Sequence, residues 1–113
     1  MSGEDTAAFL REARTLVALS WTQHADARTR ARSPTAPWNP DAVSWSLLGA
    51  LTAIYAGRQK VDSAPTALET LAHACVLLAD ILDIDSLSGW NDDPDRTQID
   101  VLAALDSAAE SAA

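Results

Sequence analysis

The chain has 113 residues, enough for one domain and one modest core, and 48% of them are hydrophobic. Alanine and leucine dominate while β-branched residues are sparse, a mixture that favours helices over strands. The net charge of −8 is uneven: six Arg meet five acids up to Arg58, whereas two basic residues meet eleven acids after it, which argues against a nucleic-acid contact through the second half.

The first predicted helix runs from about Asp5 to Gln23, with Phe9, Ala13, Leu16, Val17 and Ser20 recurring on one face. Trp21 and His24 close its last turn, where His24 is placed to meet the free carbonyls. Ala25 to Trp38 breaks the pattern with Arg28, Arg30, Arg32, Ser33, Pro34 and Pro37, and reads as a long loop. Helix two follows, with Asn39 as N-cap, Pro40 at the first helical position, Asp41 complementing the dipole and Gly57 just past its end. Val43, Leu47, Leu51, Ile54 and Tyr55 form one stripe, and Trp45 and Leu48 a second, so this helix is expected in the middle of a bundle. Gly49 inside it costs about 1 kcal/mol against Ala, which points to close approach of another backbone.

Helix three is predicted from Ser63–Pro65 to about Leu82, with Leu68, Leu71, Cys75, Leu78 and Leu82 as its stripe. A polar junction, Gly89 to Thr97, reads as an anchored corner: Trp90 plugs the bundle end, Asn91 or Asp92 ties down local amides, and Arg96 pairs with Asp92 or Asp93. Thr97 and Asp100 form a capping box that launches helix four, buried through Ile99, Leu102, Leu105 and Ala109. The expected fold is all-α, a compact single-domain bundle of about four helices over residues 1–113, with a long Arg/Pro-rich loop between helices one and two.

Trp90-Asn91-Asp92-x-Pro94-x-Arg96-Thr97, followed by Val101-Leu102-x-x-Leu105-Asp106-x-Ala108, resembles the C-terminal signature of a family of small uncharacterised bacterial and phage proteins. Trp45-Ser46-Leu47-Leu48-Gly49-Ala50-Leu51 is similar to that family's second landmark, and the two span roughly residues 40 to 110. Many relatives carry a Cys within that landmark; Ser46 or its neighbours stand there instead, so no role for that Cys transfers. The family is a domain of unknown function, and the resemblance implies no activity.

Cys75 has no partner for an internal disulfide, which fits a reducing compartment, and Glu4 and Asp5 stand where a signal peptide needs positive charge. The longest uncharged stretch, Ala42 to Gly57, is too short to span a bilayer. A cytoplasmic protein with no membrane contact is expected. No EF-hand register fits the acids between Asp83 and Asp95: the sixth position falls on Ser88 or Arg96 and no acid stands at the twelfth. No metal and no cofactor are expected. His73 and Cys75, two residues apart on a helix, point to different faces and make a poor nucleophile–base pair. Buried on the apolar stripe, Cys75 reads as an inert thiol.

The leading functional expectation is a non-enzymatic binding or adaptor protein with a protein partner or self-association. Its candidate contact residues are Trp90, Asn91, Asp92 and Arg96, then Trp38, Arg28, Arg30 and Arg32. Each has a plainer reading: corner packing for Trp90 and its neighbours, bundle-end packing for Trp38, a solvated loop for the arginines. A second expectation is a small-molecule binder or enzyme using Asp92, Asp93, Arg96 and His24 or His73 at the bundle end. A third is an acidic mimic of nucleic acid built from the acids after Arg58.

Overall fold

The structure, a computed structural model, describes residues 3–61 and 64–113. The first helix, α1 (Gly3–Leu19), starts with Glu4 and Asp5, whose charges favour a helix N-terminus, and buries Phe9, Leu10, Ala13 and Val17. It lies antiparallel to the last helix, α5 (Gln98–Ala112). At one end a Cβ on Gly3 would stand 2.1 Å from the Ala112 carbonyl oxygen; at the other, Gln98 Nε2 donates to the Val17 carbonyl at 2.7 Å.

α1 stops at Leu19, short of the expected Gln23, because the chain after it is recruited by a strand. The Trp45 amide donates to Ser20 at 3.0 Å and the Thr22 amide to Trp45 at 3.2 Å. The expected all-α fold is therefore corrected. Three antiparallel strands, β1 (Ala27–Thr29), β2 (Pro34–Thr35) and β3 (Ala42–Trp45), form a small sheet in the order β2-β1-β3. The Arg/Pro-rich segment is thus an ordered hairpin rather than a long loop. Its turn closes through Arg32 N–H to the Thr29 carbonyl and Thr29 N–H to that of Ser33, both 2.9 Å, with Arg32 at φ 71° as the left-handed residue of a three-residue hairpin loop.

The start expected for helix two is corrected too. Asn39-Pro40-Asp41 suits an N-cap and a β-turn equally, and here it makes the turn: the Asp41 amide donates to Asn39 Oδ1 and the Ala42 amide to the Asn39 carbonyl, both at 2.9 Å. Val43 and Trp45 are residue types that suit strands, and Val43 is exposed. α2 (Leu47–Gln59) begins only after Ser46, whose hydroxyl accepts from the Gly49 amide, and Gly57 lies inside it, not beyond its end. Gly49 does what its sequence context implied: a Cβ there would fall 1.7 Å from the Asp26 carbonyl oxygen. β1 is held by the next residue back, since that same carbonyl accepts from the Ser46 amide at 3.0 Å.

α3 (Ala64–Leu82) ends where expected, and its first described residue falls within the expected start of Ser63–Pro65, of which Ser63 lies outside the described residues. Its end is a Schellman motif: Asp83, at φ 54°, donates to Asp80 and Ile84 donates to Ala79. Its stripe is rotated from the expected one. Ala67, Thr70, Ala74 and Leu78 are buried, Leu71, Cys75 and Leu82 pack half-buried, and Leu68 is exposed. His73 and Cys75 do diverge, His73 Nδ1 sitting 2.8 Å from Thr6 Oγ1 on α1.

A fifth helix, the short α4 (Leu87–Asn91), was not foreseen and contains Trp90 and Asn91. The capping box of Thr97 and Asp100 is present at the start of α5. Ile99, expected to be buried, is exposed, because the face turned to α1 and α3 carries Val101, Ala104, Leu105 and Ala108. One hydrophobic cluster joins α1, α2, α3 and α5. Among the described residues, no helix is long and apolar enough to cross a membrane.

Candidate functional site

The polar centre of the molecule is Asn91, which has no solvent exposure at all. Its Oδ1 accepts from the Trp21 indole N–H at 2.7 Å and from the Leu47 amide at 3.0 Å. Its Nδ2 donates to the Thr22 carbonyl and to Asp92 Oδ1, both at 3.1 Å. An Asn side chain offers two acceptor lone pairs and two N–H groups, so every one is matched. The expected tie to local amides is therefore corrected in reach: the partners lie on the segment after α1 and at the start of α2.

Neighbouring residues thicken this clasp. The Gln23 side-chain amide donates to the backbone carbonyls of Asn91 at 3.0 Å and Asp93 at 2.8 Å. Asp92 Oδ1 also accepts from the His24 amide at 2.8 Å, and its Oδ2 stands 3.9 Å from His24 Nδ1. His24 is thus not at the end of α1. It sits in a left-handed backbone conformation, φ 64°, on the far side of Asp92. Arg96 lies over Trp90, with its guanidinium carbon 4.0 Å from the ring centroid. It donates from Nε to the Trp90 carbonyl at 2.9 Å and approaches Asp93, not Asp92, at 4.0 Å. Trp90 is half-buried and packs against the core, as a corner plug would.

The three arginines part company. Arg28 is committed internally, donating to Thr22 Oγ1 at 3.0 Å, the Arg32 carbonyl at 2.8 Å and the Gln23 carbonyl at 3.2 Å. Arg30 and Arg32 are exposed and, among the described residues, make no side-chain hydrogen bond or ion pair. Trp38 is 65% exposed, the most accessible of the four tryptophans. Asp92 and His24 meet, whereas Asp93 and Arg96 face the Trp90 side of the corner and His73 lies on α3 against α1.

Open clefts lie beside the clasp and beyond it. One, of about 300 Å³, is lined by His24, Ala25, Asp26, Ser46, Ser88 and Asp92; a second, of about 310 Å³, by Trp21, Thr22, Gln23, His24, Arg28 and Arg32. A larger groove of about 500 Å³ runs between Trp38, Tyr55, Ala56, Gln59 and Lys60, and another of about 510 Å³ joins Arg30 to Pro40, Asp41 and Val43. Burial pushes the Cys75 thiol above its ordinary pKa, which keeps it protonated and unreactive near neutrality.

Sequence reasoning missed Trp21, Thr22 and Gln23 as members of the clasp. They were hidden by the continuation of the helical pattern past Leu19. The residue types that can bond both backbone and side chains, Thr-Gln-His directly after a Trp, were the available signal. No curated protein and no solved structure matches the chain. A family model does match, over residues 1–111, and by that match the chain belongs to a family of unknown function, DUF6197.

Proposed function

We propose that this chain is a non-enzymatic protein-binding module, with Trp38 at the centre of its contact surface. The observation that carries this reading is the 65% exposure of a Trp held on a fixed turn. Asn39, directly after it, is pinned by its amide to the Ala36 carbonyl at 3.1 Å and by its side chain to Thr35 Oγ1 at 2.6 Å. Pro37 is buried before it and Pro40 stiffens the chain after it. A large ring presented on a rigid element loses little entropy on binding, and Trp, Tyr and Arg are the residue types that dominate interface energetics. Trp38 shares its groove with Tyr55, and Pro40 and Asp41, just after it in the chain, line a second groove with Arg30 and Val43. The clasp residues Asn91, Asp92 and Arg96 then act by fixing this face to the helices, and Trp90 by closing the corner.

The test is capture from the native host with the wild type, Trp38→Ala and Arg30→Ala side by side. Trp38→Ala should shift stability by less than about 0.5 kcal/mol, as expected for an exposed side chain. It should also lose a partner that the wild type retains at physiological salt. Retention of the same proteins by the wild type and both variants would sink the proposal.

A further inference from the structure

We infer that the cleft lined by Trp21, Thr22, Gln23, His24, Arg28 and Arg32 binds a small phosphate monoester. This site is separate from the proposed Trp38 contact and shares no residue with it. Three observations converge on it. The first is charge: in a chain of net charge −8, two guanidinium groups and an imidazole line a cleft to which no carboxylate contributes. Asp92, which sits beside His24 without lining this cleft, is engaged by the His24 and Asn91 N–H groups.

The second is preorganisation. Arg28 is fixed by three hydrogen bonds to Thr22, Gln23 and Arg32. A guanidinium has five N–H groups, so such a plane is held still while two remain to donate to a ligand. A fixed fork of this kind loses little freedom when an oxyanion binds.

The third is strain. Three non-glycine residues among those described have positive φ, and two of them, His24 at 64° and Arg32 at 71°, line this one cleft. Position 32 is the left-handed residue of the hairpin loop, where glycine is the usual occupant. The Arg32 carbonyl and amide serve the hairpin whatever the side chain is, while the side chain itself makes no hydrogen bond or ion pair among the described residues and so offsets none of the backbone strain. Such strain is retained where the side chain has work to do. A volume of about 310 Å³ suits a small molecule carrying one phosphate and a compact organic group.

The experiment titrates phenyl phosphate and inorganic phosphate into the ¹⁵N-labelled full chain at low salt, with phenol as the uncharged control. Saturable shifts are expected at the Gln23, His24 and Arg32 amides with both phosphates and none with phenol. Arg32→Gly should raise Tm by a few degrees, since it relieves the backbone, while weakening phenyl phosphate about tenfold or more. Arg30→Gly removes the same charge from a different groove and should leave the affinity within about twofold. Equal weakening by both variants would mean diffuse attraction and overturn the site, as would no saturation at any phosphate concentration tested. A lower Tm for Arg32→Gly would overturn the strain argument, because the arginine would then be serving the fold.

Discussion

Substitution at Asn91 removes more than one contact. Asn91→Ala leaves the Trp21 indole N–H and the Leu47 amide facing a fully buried void with no acceptor. Each unsatisfied donor costs about 1–3 kcal/mol, so a loss of about 3 kcal/mol in denaturant unfolding is expected. Asn91→Asp should also destabilise: it keeps the acceptor but loses the donor to Thr22 and places a second carboxylate against Asp92. Recovery of wild-type stability by either variant would show that the clasp is ornamental. The importance of this residue was legible in the sequence as a Trp-Asn-Asp run too polar and too specific for a plain turn. Its partners were not, because a hydrogen bond across about seventy residues of chain leaves no local pattern.

At the scale of the element, α2 and the sheet depend on one missing side chain. Gly49→Ala would drive a methyl group into the backbone carbonyl of Asp26, with no flexible side chain to give way. The first turn of α2 would have to move off β1, breaking the Ser46–Asp26 bond with it. A destabilisation of about 3 kcal/mol is expected by thermal or denaturant unfolding, although Ala is otherwise the better helix former. That close approach was readable from a glycine placed inside an apolar run. The sheet beside it was not. Its strands have two to four residues each, and Ala42-Val43-Ser44-Trp45 merges into the helical run that follows. Asn39-Pro40-Asp41 carries the same residue preferences as an N-cap and as a turn, and tertiary pairing with Ser20 to Thr22 decided between them. The boundaries at Thr97, set by a side-chain capping box, and at Leu82, set by a backbone Schellman motif, were legible because their chemistry is local.

Over the whole molecule, helical periodicity placed the core on the right helices but not always on the right face. Leu68 and Ile99 are exposed while Ala67, Ala74 and Ala104 are buried, because small residues admit closer helix packing than a hydrophobicity pattern conveys. Cys75 is half-buried against that core, and burial raises its pKa. The neutral thiol is the form the fold favours. Its contribution is therefore fully present below the ordinary thiol pKa and is lost as pH rises through the raised folded value. Alkaline pH should destabilise the wild type more than Cys75→Ser. At pH 8 the native thiol should also react with a disulfide reagent much more slowly than the unfolded chain. Equal rates in the two states would contradict this assignment. The Asn91 clasp ties the segment after α1 to α2 and α4, while Trp38 stands free of it. Hydrogen exchange at the tryptophan indole N–H groups, followed by NMR, tests both halves at once. The Trp21 indole should be protected nearly to the level of global unfolding and Trp38 should exchange within the dead time. Exchange of Trp21 as fast as Trp38 would mean that the Asn91 clasp is open in the native protein.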